Sequence, residues 1–265
     1  MGSALKVVIR GAGDLASGVA VVLHMAGCRV VMTDLPRPTV IRRTVAFAQA
    51  LFEGSWEVEG IRAVSAAAED VDRVLAAGMI PVLADPEGRI IRSWEPDAVV
   101  DAILAKRNLG TAKDDAPVVI GLGPGFTAGQ DVHAVIETMR GHHLGRIILE
   151  GSALPNTGTP GEIGGRSDVR VLRAPEDGVF RERAAIGDEV VAGQVLAMVG
   201  DLPVTAPFDG VLRGLLHDGL PVVKGFKVGD VDPRPFREHC FTVSDKARSL
   251  GGAVLCALLY LRRSE

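Results

Sequence analysis

Residues 6–16, KVVIRGAGDLA, decide the fold of the N-terminal region. The apolar run at 6–10 predicts a buried strand, and Gly11-Ala12-Gly13 then turns the chain into a helix that ends at Gly27. A second apolar strand follows at 29–33. The pattern therefore predicts a Rossmann-type β-α-β unit.

The first glycine turn is suited to a phosphate-bearing ligand. Gly11 permits the tight turn, and Gly13 allows a phosphate to approach backbone N–H groups at the positive end of the helix. Asp34 ends the second strand, where the ribose hydroxyls of a dinucleotide would be bound. Asp14 would repel a pyrophosphate, so it caps the helix or holds a metal. The alternative is a purely structural turn.

A second glycine turn follows the predicted strand 117–120. It contains Gly121, Gly123, Gly125 and Thr127 and lacks the Lys-Ser/Thr ending of a P-loop. Capping-box spacing at Thr127 predicts a helix after the turn. Both turns are expected at the carboxyl edge of a parallel sheet, where they would share a nucleotide crevice. The alternative is close packing of helix against strand through glycine.

The remaining pattern of the N-terminal region alternates helices and strands. A helix is predicted from Pro38-Thr39 to Gly54, with Thr39 as its N-cap. The Gly- and Pro-rich stretch 151–165 is interpreted as a domain boundary or a mobile active-site loop. Other predicted elements are strands at 61–64, 81–84 and 146–150, a helix at 69–77, and a strand near 97–106 that leads into a loop.

The C-terminal region contains an internal repeat. Residues 174–193 and 206–225 are identical at ten of twenty positions, at an offset of 32. Neither half is long enough to bury its own apolar face, so the halves must pack together. The arrangement resembles the barrel-sandwich fold of biotinyl and lipoyl domains. Their modified lysine has no counterpart in the junction 200–205, which argues against a swinging cofactor.

These patterns predict an α/β fold in three parts. Residues 1–168 form a Rossmann-like, mostly parallel sheet, and 169–232 form a small all-β barrel-sandwich-like domain. Residues 233–265 form a C-terminal segment with a helix from Ser244 to about Arg262.

Composition and charge exclude several classes of function. The net charge of -4 comes without a basic stripe, which excludes nucleic acid and anionic lipid as expected partners. No apolar run approaches a membrane span, and the strand at residue 6 leaves no room for a signal peptide. Three distant cysteines fit a reducing cytosol, so we expect a cytoplasmic protein. The histidines show no metal-ligand spacing, so no metal is expected.

A few charged or nucleophilic residues are weaker candidates. Asp101 and Lys106 are placed near the same sheet edge as the glycine turns, although a solvated loop is the commoner outcome. Arg42 falls in the first turn of a predicted helix, where a cation is disfavoured unless an anion is bound. Cys240 follows His239 and suggests a thiolate–imidazole pair, against the commoner fate of simple burial.

Blocks distributed over almost the whole chain carry a resemblance to a known family. They are RGAGDLA at 10–16, PTVIRRTV at 38–45, DAILAK at 101–106, GLGPGFTAG at 121–129, ETMRG at 137–141, GDVDPR at 229–234 and SDKAR at 244–248. In these blocks the sequence resembles the selenium-dependent molybdenum hydroxylase accessory (system) proteins, which are associated with bacterial hydroxylases related to xanthine dehydrogenase.

The resemblance implies a role in maturing such a hydroxylase, which would be its partner. The expected ligand is a nucleotide or a molybdopterin dinucleotide, held between the two glycine turns. Two alternatives stay open: an NAD(P)-dependent oxidoreductase, favoured by Gly11, Gly13 and Asp34, and a non-catalytic docking module for the hydroxylase. Whether the protein is an enzyme or a homo-oligomer is also open.

Overall fold

The chain divides into two compact units in the computed structural model, which describes residues 4–156 and 168–263. Unit 1 comprises Met1–Pro38, Ala46–Thr157 and Val243–Glu265. Unit 2 comprises Thr39–Val45 and Gly158–Thr242. Residues 157–165 of the predicted boundary or active-site loop lie outside the described residues.

Unit 1 is built on a nine-stranded sheet of order β3-β4-β5-β2-β1-β6-β7-β8-β9. Pairing is parallel from β4 across to β8, whereas β3–β4 and β8–β9 are antiparallel. The strands are β1 Lys6–Arg10, β2 Arg29–Asp34, β3 Ser55–Val58, β4 Ile61–Ser65, β5 Ile80–Ala84, β6 Ala98–Asp101, β7 Val118–Leu122, β8 Ala134–Ile136 and β9 Ile147–Ile148.

The helices of unit 1 are α1 Asp14–Met25, α2 Ala50–Glu53, α3 Val71–Ala76, α4 Ile90–Trp94 and α5 Asp245–Arg262. The predicted strand–turn–helix–strand over 6–33 and the predicted C-terminal helix are confirmed. Ser244 is the N-cap of α5, because its hydroxyl accepts a hydrogen bond from the Ala247 N–H at 3.2 Å.

Helices α1 and α5 pack closely through two glycines. A Cβ atom on Gly18 would lie 2.5 Å from the Cβ of Ala247, and one on Gly251 would lie 2.9 Å from the Gly18 carbonyl oxygen. Gly18 therefore lets the first turn of α5 rest directly on α1. Through this contact, the residues after 243 belong to the same compact unit as β1.

Two predicted helices are absent. Residues 40–54 form short 3₁₀ turns and the single turn α2, because the Phe47 and Ala48 N–H groups donate to Ser17 Oγ and the Ala12 carbonyl. The helix expected after Thr127 is replaced by a turn and β8. Gly129 adopts φ +87°, and Val135 and Ile136, which would have lined the helix, enter the sheet in β8 instead.

Unit 2 consists of two four-stranded antiparallel sheets, of order β10-β17-β15-β12 and β14-β13-β11-β16. Its strands are β10 Val171–Arg173, β11 Gly178–Glu182, β12 Glu189–Val190, β13 Val195–Val199, β14 Leu202–Thr205, β15 Gly210–Leu215, β16 Pro221–Val222 and β17 Lys227–Asp232.

The internal repeat of unit 2 is visible as an exchange of strands. Gly178 of the first half pairs with Val222 of the second, and the equivalent Gly210 pairs with Val190. Each half thus supplies an edge that the other completes, as expected for halves that cannot fold alone.

The predicted fold class is wrong. The large sheet is mixed rather than Rossmann-like, because its edge strands run antiparallel and no helix joins β7 to β8. Unit 2 forms two separate four-stranded sheets instead of the predicted barrel-sandwich. The C-terminal helix belongs to unit 1 and packs on α1. Among the described residues, no helix combines the length and the apolar character needed to cross a membrane.

Adjacent glycines of α5 provide a matched test of the α1–α5 contact. We expect Gly251→Ala to lower the free energy of unfolding by about 1–3 kcal/mol, because its methyl group would overlap Gly18 and Val22. A methyl group on Gly252 would meet none of the described residues within 4 Å, so Gly252→Ala should raise stability by about 1 kcal/mol through helix propensity. Urea titration of both variants measures the difference, and equal effects would contradict the packing.

Candidate active site

The first glycine turn is closed by hydrogen bonds of the protein itself. Gly11 has φ +95°, and its N–H donates to the Thr33 carbonyl at 2.7 Å. The Ala12 N–H donates to Asp34 Oδ2 at 2.8 Å, while the Leu35 N–H donates to Oδ1 at 2.7 Å. An N–H group expected to bind a phosphate is therefore already engaged by a carboxylate.

Burial raises the pKa of Asp34, and the hydrogen bonds from Ala12 and Leu35 oppose that rise. A half-buried carboxylate beside the turn replaces an anionic ligand and also repels one. Asp34, which was expected to bind the ribose, thus occupies the predicted phosphate site.

A single loop fills the space predicted for the shared crevice. We define the 102–111 loop as the first part of the link from β6 to β7. A Cβ on Gly11 would lie 2.9 Å from the Ala102 carbonyl oxygen, and a Cβ on Gly125 would lie 2.7 Å from the Arg107 Cα. The loop backbone touches both glycine turns, so their missing side chains serve packing.

A buried ion pair fixes this loop. Arg10 and Asp101 approach to 3.6 Å, and their side chains are 4% and 2% exposed. The Thr111 hydroxyl accepts from Arg10 and donates to Asp101, while Arg10 also donates to the Leu109 carbonyl at 3.2 Å. The structure therefore places Asp101 in a buried structural network in which both of its carboxylate oxygens accept hydrogen bonds. Lys106 lies exposed in the same loop, in a left-handed conformation with φ +63°.

The second glycine turn is equally close-packed. A Cβ on Gly121 would overlap the Phe126 ring at 2.5 Å, and one on Gly123 would lie 2.6 Å from the Thr138 hydroxyl. The Thr127 N–H donates to Asp131 Oδ2 at 2.8 Å, which closes a turn rather than starting a helix.

The remaining two predicted residues lie in unit 2. Arg42 is 8% exposed and donates to the His239 carbonyl at 3.0 Å. Cys240 is 1% exposed, its Sγ lies 3.7 Å from the Leu212 carbonyl oxygen, and burial raises its thiol pKa. A raised pKa disfavours the thiolate that the predicted pairing requires.

A group of ionisable side chains, of which the sequence patterns indicated only Asp14, converges elsewhere in unit 1. We define the Lys246 cluster as Asp14, Glu137, Arg140, Asp245 and Lys246. Asp14 begins α1, Glu137 and Arg140 follow β8, and the last two residues belong to the first turn of α5. Strand ends and two helix N-termini thus meet at one place, as at the ligand crevices of α/β sheets.

Within the cluster, Glu137 is held in place by backbone hydrogen bonds. It is 2% exposed, and its carboxylate accepts from the Met139 N–H at 2.7 Å and from the Leu154 N–H at 2.8 Å. Arg140 forms a two-pronged pair with Asp245, with N–O distances of 2.8 and 3.2 Å. Backbone donors and ion pairs therefore hold the groups around the amine in place.

Lys246 is half-buried, and its pKa is lowered by desolvation and by the charge of Arg140. The carboxylates of Asp14, Glu137 and Asp245 partly oppose this change. A lysine in the first turn of a helix is also electrostatically disfavoured, a signal that the block SDKAR displayed in the sequence. The environment thus lowers the pKa of an amine on which three carboxylates also act.

Residues 4–156 and 168–263 were expected to contain no metal site, and that expectation stays a prediction. Histidine, cysteine and acidic side chains do not gather there in groups of three or more that would hold an ion. The Lys246 cluster combines three carboxylates with two cations, Arg140 and Lys246.

Comparison with known proteins gives one strong sequence match and weak structural ones. The chain is 54% identical over 256 residues to the uncharacterized protein YqeB of Escherichia coli K12, covering 96% of this chain and 47% of YqeB. It thus spans about half the length of this curated relative. No protein-family model matches.

The structural matches have TM-scores below 0.3. A succinylglutamate desuccinylase/aspartoacylase of Rhodobacter sphaeroides has a TM-score of 0.28 at 15% identity, covering 86% of each chain. The ectoine utilization protein EutE of Ruegeria pomeroyi has a TM-score of 0.27 at 11% identity, also covering 86% of each. Likeness at this level assigns no activity to the present chain.

The predicted function as a hydroxylase-maturing accessory protein that binds a nucleotide is wrong. The alternatives of an NAD(P)-dependent oxidoreductase and of a docking module for the hydroxylase are not retained either. The physical reason lies in the site, where Asp34 and the 102–111 loop occupy the expected nucleotide crevice. The sequence resemblance itself stays a prediction.

Two variants separate the two roles of Asp34. Asp34→Ala should lower the free energy of unfolding by about 1–3 kcal/mol, because the buried Ala12 N–H loses its acceptor. Asp34→Asn retains an oxygen for that N–H and should cost less than about 1 kcal/mol. Denaturant titration at pH 7 compares them, and equal losses would show that the hydrogen bond is not the stabilising contact.

The raised pKa of Asp34 also predicts a pH dependence. The folded protein holds this proton more tightly than the unfolded chain, so its contribution to stability is complete below the ordinary pKa of 3.8. That contribution is lost as the pH rises through the folded pKa. The stability of the wild type relative to Asp34→Asn should therefore fall between acidic and neutral pH. A relative stability that rises over this range would contradict the burial effect.

Proposed function

We propose that unit 1 contains an enzyme site. In this site the Lys246 amine accepts a proton from a small polar substrate or donates a proton to it. The observation that carries the proposal is the convergence of Asp14, Glu137 and Lys246 from three separate segments at the end of β8 and the starts of α1 and α5.

A lysine serves as a base only when a substantial fraction of it is neutral. Burial and a neighbouring guanidinium lower the pKa of Lys246, and the α1 and α5 N-termini add positive potential. These effects lower the pKa of the amine, which is the direction that a general base requires. Perturbed ionisable groups concentrate at functional sites, which supports a chemical rather than a structural role for this lysine.

The surrounding residues have distinct roles in this proposal. Lys246 contacts the substrate, and the Glu137 carboxylate positions it from a place fixed by two backbone N–H groups. Asp14, at the start of α1, is the second carboxylate facing the amine and stabilises its protonated form after proton uptake. Arg140, paired with Asp245, keeps the amine's pKa low and offers a cation to an anionic substrate group.

We also propose that the protein works in the cytoplasm. All three cysteines are free in the structure, with Cys28 and Cys240 buried and Cys256 exposed. Unpaired thiols are typical of a reducing compartment.

Competitive acetylation across a pH series tests the reactivity of the amine. We expect Lys246 to reach half-maximal labelling at a lower pH than the exposed Lys224, as measured by peptide mass spectrometry. Arg140→Gln should shift the Lys246 profile to higher pH, because it removes the cation and frees Asp245. An unshifted Arg140→Gln profile, or a wild-type Lys246 that titrates with Lys224, would refute the proposed base.

Proton transfer itself is tested by exchange with deuterated water. A pool of small metabolites is incubated with the wild-type protein, and mass spectrometry detects solvent deuterium entering a substrate. Lys246→Met should abolish that exchange, whereas Lys113→Met, at an exposed lysine of the same unit, should leave it unchanged. Exchange that persists in folded Lys246→Met would assign the chemistry to another group.

A further inference from the structure

Unit 1 contains a cavity that the proposed enzyme site does not use. Its volume is about 800 Å³, and it lies between residues 91–96, at the end of α4, and residues 110–117 of the link from β6 to β7. We call it the α4 cavity. It shares no residue with the Lys246 cluster. Small-molecule sites in proteins have volumes of roughly 300–1,000 Å³, so the α4 cavity is large enough to hold a ligand.

The apolar part of the cavity lining belongs to the hydrophobic core. Ile91 is buried and Ala116 is half-buried, and both pack in the core of unit 1 with Val99 and Val119. Pro117 continues the lining to the start of β7. The core therefore fixes a surface on which an aliphatic part of a ligand can rest.

Hydrogen bonds hold the 110–117 side of the cavity in place. Asn108 Oδ1 accepts from the Gly110 N–H at 2.9 Å. Asp115 Oδ2 accepts from the Ala112 N–H at 2.9 Å, and the Asp115 N–H donates to the Ala112 carbonyl at 3.0 Å. This side is therefore ordered by its own contacts, which lowers the entropic cost of binding a ligand.

Side chains of both charges line the cavity without pairing. Arg92 and Glu95 belong to the α4 side, whereas Asp114 and Asp115 belong to the 110–117 side. Within the described residues, the side chains of Arg92, Glu95 and Asp114 form no ion pair or hydrogen bond. Opposite charges that line one cavity and do not neutralise each other are available to a ligand that carries both signs.

The backbone of Glu95 is strained. As the C-cap of α4 it has φ 48° and ψ 71°, a left-handed conformation that glycine usually adopts at the end of a helix. Strained residues of this kind are frequent at ligand sites. The glutamate at this position supplies a carboxylate to the cavity lining, which glycine would not.

We propose that the α4 cavity binds a small zwitterion in which an aliphatic chain joins an ammonium group to a carboxylate. Arg92 binds the carboxylate, whose geometry matches the fork of the guanidinium group. The carboxylates of Glu95, Asp114 and Asp115 bind the ammonium group. Because acidic side chains outnumber the cation, the ammonium group contributes more to binding than the carboxylate does. The site does not depend on the proposed enzyme activity.

Calorimetric titration of the full chain with ε-aminocaproate tests the site. Hexylamine and caproate, each of which lacks one of the two charges, are the controls. We expect saturable binding of ε-aminocaproate and binding at least about tenfold weaker for hexylamine, which leaves Arg92 without a partner. Caproate should bind more weakly still, because the acidic side chains repel it.

Matched variants assign the two ends of the ligand. Arg92→Gln should weaken binding of ε-aminocaproate at least about tenfold and abolish its advantage over hexylamine. Arg89→Gln, at an exposed arginine of the same segment that pairs with Glu87, should bind as the wild type does. Glu95→Gly should weaken binding without lowering the Tm, because glycine relieves the backbone strain.

Three results would overturn the proposal. They are absence of saturable binding by the wild type up to about 10 mM ε-aminocaproate, equal binding of ε-aminocaproate and hexylamine, and wild-type binding by folded Arg92→Gln. A lowered Tm of Glu95→Gly would also count against the proposal, since the glutamate would then be needed for the fold. Lys246→Met should bind ε-aminocaproate normally, so failure of the proposed enzyme site would leave this result unchanged.

Discussion

The buried pair of Arg10 and Asp101 is the interaction on which the arrangement of unit 1 depends. Adjacent parallel strands present these residues side by side at their carboxyl ends, as Arg10 aligns with Asp101 in the register of β1 and β6. Removing one partner of a buried ion pair typically costs about 3–5 kcal/mol, because the other charge is left without compensation. The Thr111 hydroxyl bridges the pair and thereby draws the 102–111 loop across the sheet edge.

That loop determines where a ligand can bind. By packing on Gly11 and Gly125, it closes the region between β1 and β7 that a nucleotide crevice would use. The Lys246 cluster lies instead where α5 rests on α1, close to the end of β8. A contact between two helices far apart in sequence therefore creates the candidate site, and the chain after residue 243 completes a unit that began at residue 6.

Sequence patterns predicted local elements well where the periodicity was strong. The strand at 6–10, α1 and α5 follow from apolar spacing and capping residues, and the repeat correctly indicated that the halves of unit 2 assemble together. The turn after Gly125 was misjudged, because Thr127 and the apolar residues after it fit a helix as well as a strand. Their conformation is decided by the local hydrogen bond from the Thr127 N–H to Asp131 and by pairing with β7, and only the pairing is a tertiary effect.

The same distinction explains why glycine motifs misled the prediction of the site. A glycine indicates only that another group approaches the backbone closely. That group can be a bound phosphate or a neighbouring loop, and the sequence does not distinguish the two. Gly11, Gly123 and Gly125 are approached by the chain itself. A residue such as Lys246 carries a different kind of signal, because an ammonium group at a helix N-terminus opposes the local electrostatics. A locally unfavourable charge is therefore a more specific indication of a chemical role than a glycine turn is.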